Sequence, residues 1–227
     1  TIERLVLDHL DASVNVAFGP SPSPAVRIQI EGAKTRLRAF SRIQAEQIAA
    51  GWRIVSTERK LEAHGENPLC IGSLHLSGKI DRIEKNTLTG AWRVLDYKTS
   101  ADGPAKKHFG PRHSKEWLPD AELEIGDSEK PKKKRWANLQ LPLYRKILDH
   151  WHGDEIGDNP ISTGYFLLTA DPAETAVLEF EELNDDVMES AITCARTIAG
   201  LVHKGVFWPP QPLKSSWEDP FEALFLN

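Results

Sequence analysis

The sequence is poor in the residues that several classes of protein require. Its 227 residues include only two cysteines, Cys70 and Cys194. Two cysteines make a disulfide framework unlikely and cannot supply the four thiolates that usually hold an iron–sulfur cluster. We therefore predict no iron–sulfur cluster and an intracellular, cytoplasmic location, where disulfides are rare.

Long apolar runs and several well-known motifs are also missing. No apolar run approaches the roughly 18 residues that suggest a membrane-spanning helix, and the first residues show no cleavable signal pattern. There is no Gly-rich phosphate loop and no Ser-centred elbow. These absences argue against a membrane protein, a nucleoside triphosphate site and an acyl hydrolase.

The charge balance is slightly acidic, with a formal net charge of −5. Such a balance argues against a uniformly basic surface for nucleic acid, but it allows a local basic groove. Positive charge is concentrated in the segment 101–135, which has little apolar periodicity and four prolines. The candidate DNA-binding residues there are Lys106, Lys107, Lys132, Lys133, Lys134 and Arg135.

A segment of this length inside a compact domain is typical of either a functional loop or a mobile one. As a functional loop it would be a basic flap over a phosphate backbone, whose lysines release counterions on binding. As a solvated loop it would have no such role, and the acidic run Glu122–Asp127 dilutes its positive charge. Both interpretations remain open from the sequence.

The stretch 78–100 predicts a β-hairpin that carries acidic residues. Two apolar runs, Leu74–Ile83 and Trp92–Tyr97, are joined by a polar turn that ends in Gly90. Side chains alternate between the two faces of a strand, so Asp96 and Lys98 are expected to point to the same side. Pairing across the turn would bring Asp81 near Asp96.

Two neighbouring carboxylates repel each other unless a cation lies between them. Oxygen ligands of this kind suit Mg²⁺ or Mn²⁺, and Lys98 would position a water or stabilise developing charge. The pattern therefore indicates metal-assisted hydrolysis of a phosphodiester. The alternative is an exposed cross-strand salt bridge that contributes little. The apolar residues before Asp81 and Asp96 favour the metal site, because a buried charge is costly without a partner.

Apolar spacing predicts four helices and three more strands around this hairpin. They are helix 1–16, helix 25–52, strand 53–61, helix 136–151, strands 161–169 and 175–181, and helix 183–204.

Three polar residues in these elements are further candidates for the site. Glu58 precedes the hairpin and is a third candidate acid for the metal, although a lone Glu in a strand is commonly solvated. Gln140 and Tyr144 lie one helical turn apart and share a face, so they could reach a phosphate or a metal-bound water. The alternative is that Tyr144 belongs to the core and Gln140 is a cap.

Four motifs in this order resemble the PD-(D/E)XK nuclease superfamily, in particular its RecB-like and AddB-like exonuclease domains. They are GWRIVSTERKLE (51–62), GKIDRIE (78–84), VLDYKTS (94–100) and LQLPLY (139–144), and GVFWPPQP (205–212) resembles the region after the core. The resemblance implies an α/β, restriction-endonuclease-like fold with a mixed central β-sheet flanked by α-helices.

The resemblance also assigns roles to individual residues. Asp81 and Asp96 would bind Mg²⁺ or Mn²⁺, with the backbone carbonyl of Tyr97 as a further ligand. Lys98 would activate or orient the attacking water, and Glu58 would support the metal directly or through water. Gln140 and Tyr144 would match the family's Q-x-x-x-Y helix, which supports the site and contacts DNA.

The sequence departs from this resemblance before Glu58. RecB-like nucleases often carry an earlier helix with a Gly-x-x-x-His pattern, but His9 lacks the preceding glycine. We therefore expect the chain to be a piece of a longer protein, which alone would cut weakly or not at all. The expected organisation is a single nuclease domain over 1–227, with an N-terminal helical part at 1–52, a core at 53–204 containing the basic insertion 101–135, and a tail at 205–227.

The expected function is a metal-dependent DNA nuclease, an exonuclease serving recombination or repair, with a helicase domain or subunit as partner and no membrane association. One alternative is a DNA-binding module that has the nuclease fold but little or no activity, within a larger complex. The other is an α/β interaction domain whose acidic residues are salt-bridged.

Overall fold

A five-stranded mixed β-sheet lies at the centre of the computed structural model, which describes residues 1–99, 108–110, 119–125 and 132–206. The strands lie in the order β1-β4-β5-β9-β10. Their bounds are Trp52–Leu61 (β1), Gly78–Asn86 (β4), Trp92–Lys98 (β5), Ile161–Leu167 (β9) and Ala176–Glu179 (β10). Two short strands, Cys70–Ile71 (β2) and Leu74–His75 (β3), pair with each other outside this sheet.

The predicted hairpin forms the middle of the sheet. Strands β4 and β5 are antiparallel, with Arg82 opposite Leu95 and Lys85 opposite Trp92. Strand β9 then lies parallel to β5, after a crossover that contains a helix. Because β5 has a neighbour on each edge and helices on both faces, every residue from Trp92 to Asp96 is buried.

Within the described ranges four helices accompany the sheet, with the bounds Ile2–Phe18 (α1), Pro24–Ala49 (α2), Gln140–Ile156 (α3) and Asp185–His203 (α4). Helix α2 covers one face, where the ring of Phe40 lies 6.3 Å from that of Tyr97 and 4.8 Å from that of Phe166. Helix α3 covers the other face, where Ile147 and Leu148 join the buried core. The sheet is therefore enclosed between α2 and α3.

Helix α1 differs from its prediction. Its apolar spacing suggests one buried face, yet none of its residues is buried. It lies along α2 rather than on the sheet, and Lys34 of α2 contacts Asp11 at 3.0 Å. Contact with one helix alone leaves Leu5 and Val16 largely exposed.

Helix α3 begins at Gln140, four residues later than predicted. Trp136, the expected first residue, ends a strand instead. Pro142 then falls in the first turn of the helix, where no backbone N–H has an intrahelical acceptor, so proline costs little there. The late start places Gln140 at the N-terminal end of the helix.

The insertion 101–135 is not the unbroken loop that its composition suggests. Its described residues include the strands Phe109–Gly110 (β6), Glu122–Ile125 (β7) and Lys132–Trp136 (β8), which form a sheet in the order β6-β8-β7. Acidic β7 pairs with basic β8, placing Glu124 opposite Lys133. Opposite charges across the two strands favour this pairing. Because the pairing depends on charged residues, the apolar pattern of the sequence does not predict these strands.

Helix α2 ends at Ala49, before the expected Trp52, and Gly51 follows its C-terminal cap. Its φ is +95°, and a Cβ there would lie 2.7 Å from Oδ1 of Asn86. The Asn86 side chain also donates to the carbonyl of Ala50 at 3.0 Å. Only glycine fits this turn, which ties the end of α2 to the end of β4.

The mixed sheet flanked by helices confirms the expected restriction-endonuclease-like α/β fold. Among the residues that the structure describes, no helix is both long and apolar enough to cross a membrane. Most of the tail, residues 207–227, lies outside the described residues.

Candidate active site

The candidate site lies where strands β4 and β5 separate. Their paired residues end with Arg82 opposite Leu95, so Asp81 and Asp96 would form the next pair. At this point the Asp81 side chain takes the place of a backbone partner, and its Oδ2 accepts a hydrogen bond of 3.0 Å from the backbone N–H of Tyr97. The hairpin therefore brings Asp81 and Asp96 to neighbouring positions at its open end.

Asp96 is buried, with 4% of its surface exposed. Its Oδ1 accepts a hydrogen bond of 2.9 Å from the Gln140 amide and lies 3.5 Å from the Tyr144 hydroxyl. Its Oδ2 lies 2.5 Å from the Lys98 ammonium, but no described residue donates a well-directed hydrogen bond to it. One oxygen of a buried carboxylate is thus in contact with a cation but lacks a directional donor.

Burial raises the pKa of the Asp96 carboxyl above its usual range, Lys98 opposes that shift, and the charge of Asp81 adds to it. Burial likewise raises the pKa of the Tyr144 hydroxyl. The two carboxylates therefore create a place that favours additional positive charge.

Helix α3 presents its first turn to this carboxylate. Gln140 donates to Asp96 and to the Tyr144 hydroxyl at 3.1 Å, and its Oε1 accepts from Lys98 at 3.3 Å. The Tyr144 hydroxyl donates to the carbonyl of Lys79 at 2.9 Å. The four-residue spacing between Gln140 and Tyr144 thus places both on the face that meets the hairpin.

Glu58 lies level with Asp81, because its neighbours Thr57 and Arg59 pair with Arg82 and Ile80. Its side chain is exposed and forms an ion pair with Lys79. Its φ of +53° is uncommon for a residue with a side chain. In this structure Glu58 therefore binds a lysine.

The donor set fits a hard divalent cation better than zinc. Among residues 1–99, 108–110, 119–125 and 132–206, no group of three or more His, Cys, Asp and Glu side chains could hold a metal. Mg²⁺ and Mn²⁺ suit one or two carboxylates completed by water and phosphate oxygens. The Tyr97 carbonyl points to the same edge of β5 as its N–H, towards Asp81, and adds a candidate ligand.

The candidate DNA-binding residues are only partly described. Lys106 and Lys107 lie outside the described residues. Lys133 lies 3.6 Å from Glu124, and Arg135 lies opposite Glu122. Lys132 and Lys134 lie opposite Ile125 and Leu123, which carry no charge.

Sequence reasoning missed several polar residues that surround the site. Asn138 accepts a hydrogen bond of 2.8 Å from the backbone N–H of Gln140 and so fixes the start of α3. Arg82, Glu84 and Arg93 form a buried ionic network on the opposite face of the hairpin. The isoleucines of GKIDRIE could have revealed the first two, because Arg82 and Glu84 share a face of the strand and lie next to these apolar residues.

Comparison with known proteins identifies the family of the chain. A family model of the PD-(D/E)XK nuclease superfamily matches residues 2–215, and the chain belongs to that superfamily. Its members are generally nucleases and typically use divalent metal ions. A search of curated proteins finds no match for this chain.

Proposed function

We propose that the chain is a Mg²⁺- or Mn²⁺-dependent deoxyribonuclease that hydrolyses phosphodiester bonds. The observation that carries the proposal is the buried Asp96 carboxylate, which lies beside Asp81 and contacts the Lys98 ammonium at 2.5 Å. A buried acid with a partly buried acid and an amine beside it costs free energy unless the arrangement has a use. In a nuclease superfamily, that use is the binding of a catalytic cation.

Each residue of the site has a role in this proposal. Asp81, Asp96 and the Tyr97 carbonyl would hold the cation. When bound, a divalent cation neutralises phosphate charge and lowers the pKa of a water molecule. Lys98 would orient the attacking water and stabilise the charge that develops on the phosphate.

Gln140 and Tyr144 would keep the Asp96 carboxylate in place. They contact its Oδ1, which leaves Oδ2 facing Lys98. Glu58 would support the metal through water after releasing Lys79. This role is consistent with the position of Glu58 on β1, level with Asp81 on β4.

DNA would approach across the small sheet of β6, β7 and β8. Strand β8 ends four residues before Gln140, and Trp136 packs into the same core as Leu141. Lys132 and Lys134 would contact phosphates, since the residues opposite them carry no charge. Two further pairs are weaker candidates. Lys106 and Lys107 lie outside the described residues, and Lys133 and Arg135 each lie opposite a glutamate.

We propose further that the enzyme is a RecB-like or AddB-like exonuclease that serves recombination or repair with a helicase partner. This finer assignment rests on the order and spacing of the four sequence motifs. Exonucleases require a DNA end, so linear DNA should be degraded while closed circular DNA of the same sequence should survive.

The test is incubation of end-labelled linear DNA and of closed circular DNA with Mn²⁺, with and without a chelator. We expect Mn²⁺-dependent degradation of the linear DNA by the wild-type protein and none by Asp96→Asn. Degradation that persists in chelator would contradict the metal-dependent mechanism. Cutting of the circle would contradict the exonuclease assignment alone.

The second candidate is a DNA-binding module with the same fold and little activity. One feature favours it: the Glu58 side chain, a candidate support for the metal, is engaged in an ion pair with Lys79. DNA binding without cutting by the wild-type protein, under conditions where Mn²⁺ binds, would support this candidate over the nuclease.

A further inference from the structure

The face of the hairpin opposite the carboxylates carries a buried ionic network. Its central residues are Arg82 and Glu84, both 0% exposed, and Arg93. Arg93 donates to Glu84 at 2.7 Å, to Gln47 of α2 at 2.8 Å and to Glu179 of β10 at 3.0 Å. Arg82 forms an ion pair with the other oxygen of Glu84. Two arginines and two glutamates balance each other's charge within the network.

Arg82 also connects this network to the candidate metal site. One of its NH groups donates to the Tyr97 hydroxyl at 3.1 Å. The backbone N–H of the same tyrosine donates to Asp81 at 3.0 Å. Tyr97 therefore spans the sheet, with its phenol held on the α2 face and its backbone bonded to a carboxylate of the site.

Other contacts fix the Tyr97 ring as well. Its centroid lies 6.3 Å from that of Phe40 and 5.8 Å from that of Phe166. These rings restrict where the phenol lies but supply no directional bond. The hydrogen bond from Arg82 supplies one, and it comes from the residue that directly follows Asp81 in the chain.

From these contacts we propose that Arg82 is a positioning residue for the metal site and acts through the Tyr97 hydroxyl. By holding the phenol, it fixes the backbone at the place where the strands separate, which sets both the Asp81 carboxylate and the Tyr97 carbonyl. This inference rests on the proposed function, because it assumes that these oxygens bind a divalent cation.

The test measures Mn²⁺ affinity by calorimetry in the wild-type protein, Tyr97→Phe, Arg82→Met and the double variant. Tyr97→Phe removes only the hydroxyl and keeps the ring, the backbone carbonyl and the N–H. Loss of an outer partner typically weakens metal binding by about 10- to 100-fold, and we expect about tenfold for Tyr97→Phe. The Mn²⁺ concentration for half-maximal DNA hydrolysis should rise by a similar factor.

The double variant separates positioning from a general loss of stability. If Arg82 acts through the hydroxyl, Arg82→Met/Tyr97→Phe binds Mn²⁺ no more weakly than Arg82→Met alone. Additive losses in the double variant would overturn the inference. Should Arg82→Met fail to fold, Tyr97→Phe alone decides, because unchanged Mn²⁺ affinity in that variant also overturns it.

Glu179→Gln is the matched control. It alters the exposed end of the same network, which contacts Arg93 but not Tyr97. We expect its Mn²⁺ affinity to equal that of the wild type, and an equal weakening there would overturn the inference. A wild-type protein that binds no Mn²⁺ would instead overturn the proposed function, and this inference with it.

Discussion

Asp96 is the residue on which the contacts of the site converge. Lys98, Gln140 and Tyr144 all approach its carboxylate, and the residue after it is hydrogen-bonded to Asp81. Gln140 also contacts Lys98 and Tyr144, so a single amide links the acid, the amine and the phenol. The carboxylate is therefore held in one orientation before any ligand binds.

Lys98→Ala should reduce the rate of DNA hydrolysis more than it weakens metal binding. The ammonium lies beside Asp96 but cannot be a metal ligand, because it has no lone pair to donate. Loss of a group that stabilises developing charge typically costs about 10²- to 10³-fold in kcat. The measurements are kcat at saturating Mn²⁺ and calorimetry with Mn²⁺.

Loss of Mn²⁺ binding in Lys98→Ala, in parallel with the loss of rate, would contradict this role. Lys146→Ala provides a control on α3, where the lysine forms an ion pair with Asp149. It should leave both quantities near their wild-type values.

At the scale of elements, the pairing of β7 with β8 decides which lysines face an acid. Lys133 lies opposite Glu124, whereas its exposed neighbour Lys132 lies opposite Ile125. Adjacent residues on a strand point to opposite faces. One face of this pair therefore carries balanced charges, and the other carries Lys132 and Lys134 together with Leu123, which packs into the core.

This register predicts that Lys132→Ala weakens DNA binding more than Lys133→Ala does. A lysine that contacts a phosphate contributes about 0.9 to the slope of log affinity against log salt concentration for duplex DNA. We expect that reduction in slope for Lys132→Ala and a smaller one for Lys133→Ala. Fluorescence anisotropy in an Asp96→Asn background measures binding without cutting, and equal slopes in the two variants would contradict the prediction.

Elements with regular apolar patterns could be predicted from the sequence, and those held together by charges could not. The two apolar runs around Asp81 and Asp96, with the polar turn between them, predicted the hairpin, and the four-residue spacing of Gln140 and Tyr144 predicted that they share a face of α3. Strands β7 and β8 escaped prediction because their pairing depends on Glu and Lys residues that resemble a solvated loop.

The sequence also did not predict the ion pair of Glu58 with Lys79 or the network around Arg82, for a different reason. Each depends on strands or helices far apart in the sequence, such as the contact of Arg93 with Gln47 and Glu179. Local patterns show that such residues are charged and lie in strands. They do not show which partner each residue meets.

At the scale of the whole molecule, α3 joins two hydrophobic cores. One core contains Trp136, Tyr165 and Phe180, the other contains Trp92 and Ile147, and Tyr144 packs against both. The catalytic candidates on α3 are thus fixed by packing on two sides. Destabilising either core should disturb the site as well as the fold.

His108 makes the stability of this arrangement depend on pH. Its ring is 2% exposed and stacks on Phe180 with centroids 4.1 Å apart. Burial lowers its pKa from 6.5 to about 4. The folded protein therefore keeps His108 neutral at pH values where the unfolded chain already takes up a proton.

Because the unfolded chain binds that proton first, stability should fall as the pH decreases from 6.5 to 4. The loss from this residue is about 3 kcal/mol, at 1.36 kcal/mol per pKa unit. Urea unfolding at several pH values should show a flatter profile for His108→Phe, which keeps the stacked ring but cannot be protonated. Identical profiles in the two proteins would contradict the assigned burial of a neutral imidazole.

The central claim is that Asp81 and Asp96 share a divalent cation. The most direct measurement is anomalous difference density from crystals of the protein soaked in Mn²⁺. We expect a peak about 2.1 Å from oxygens of both carboxylates, the distance typical of a hard cation of this size. Crystals that show no peak between these two residues, or a Mn²⁺ ion bound only elsewhere, would contradict it.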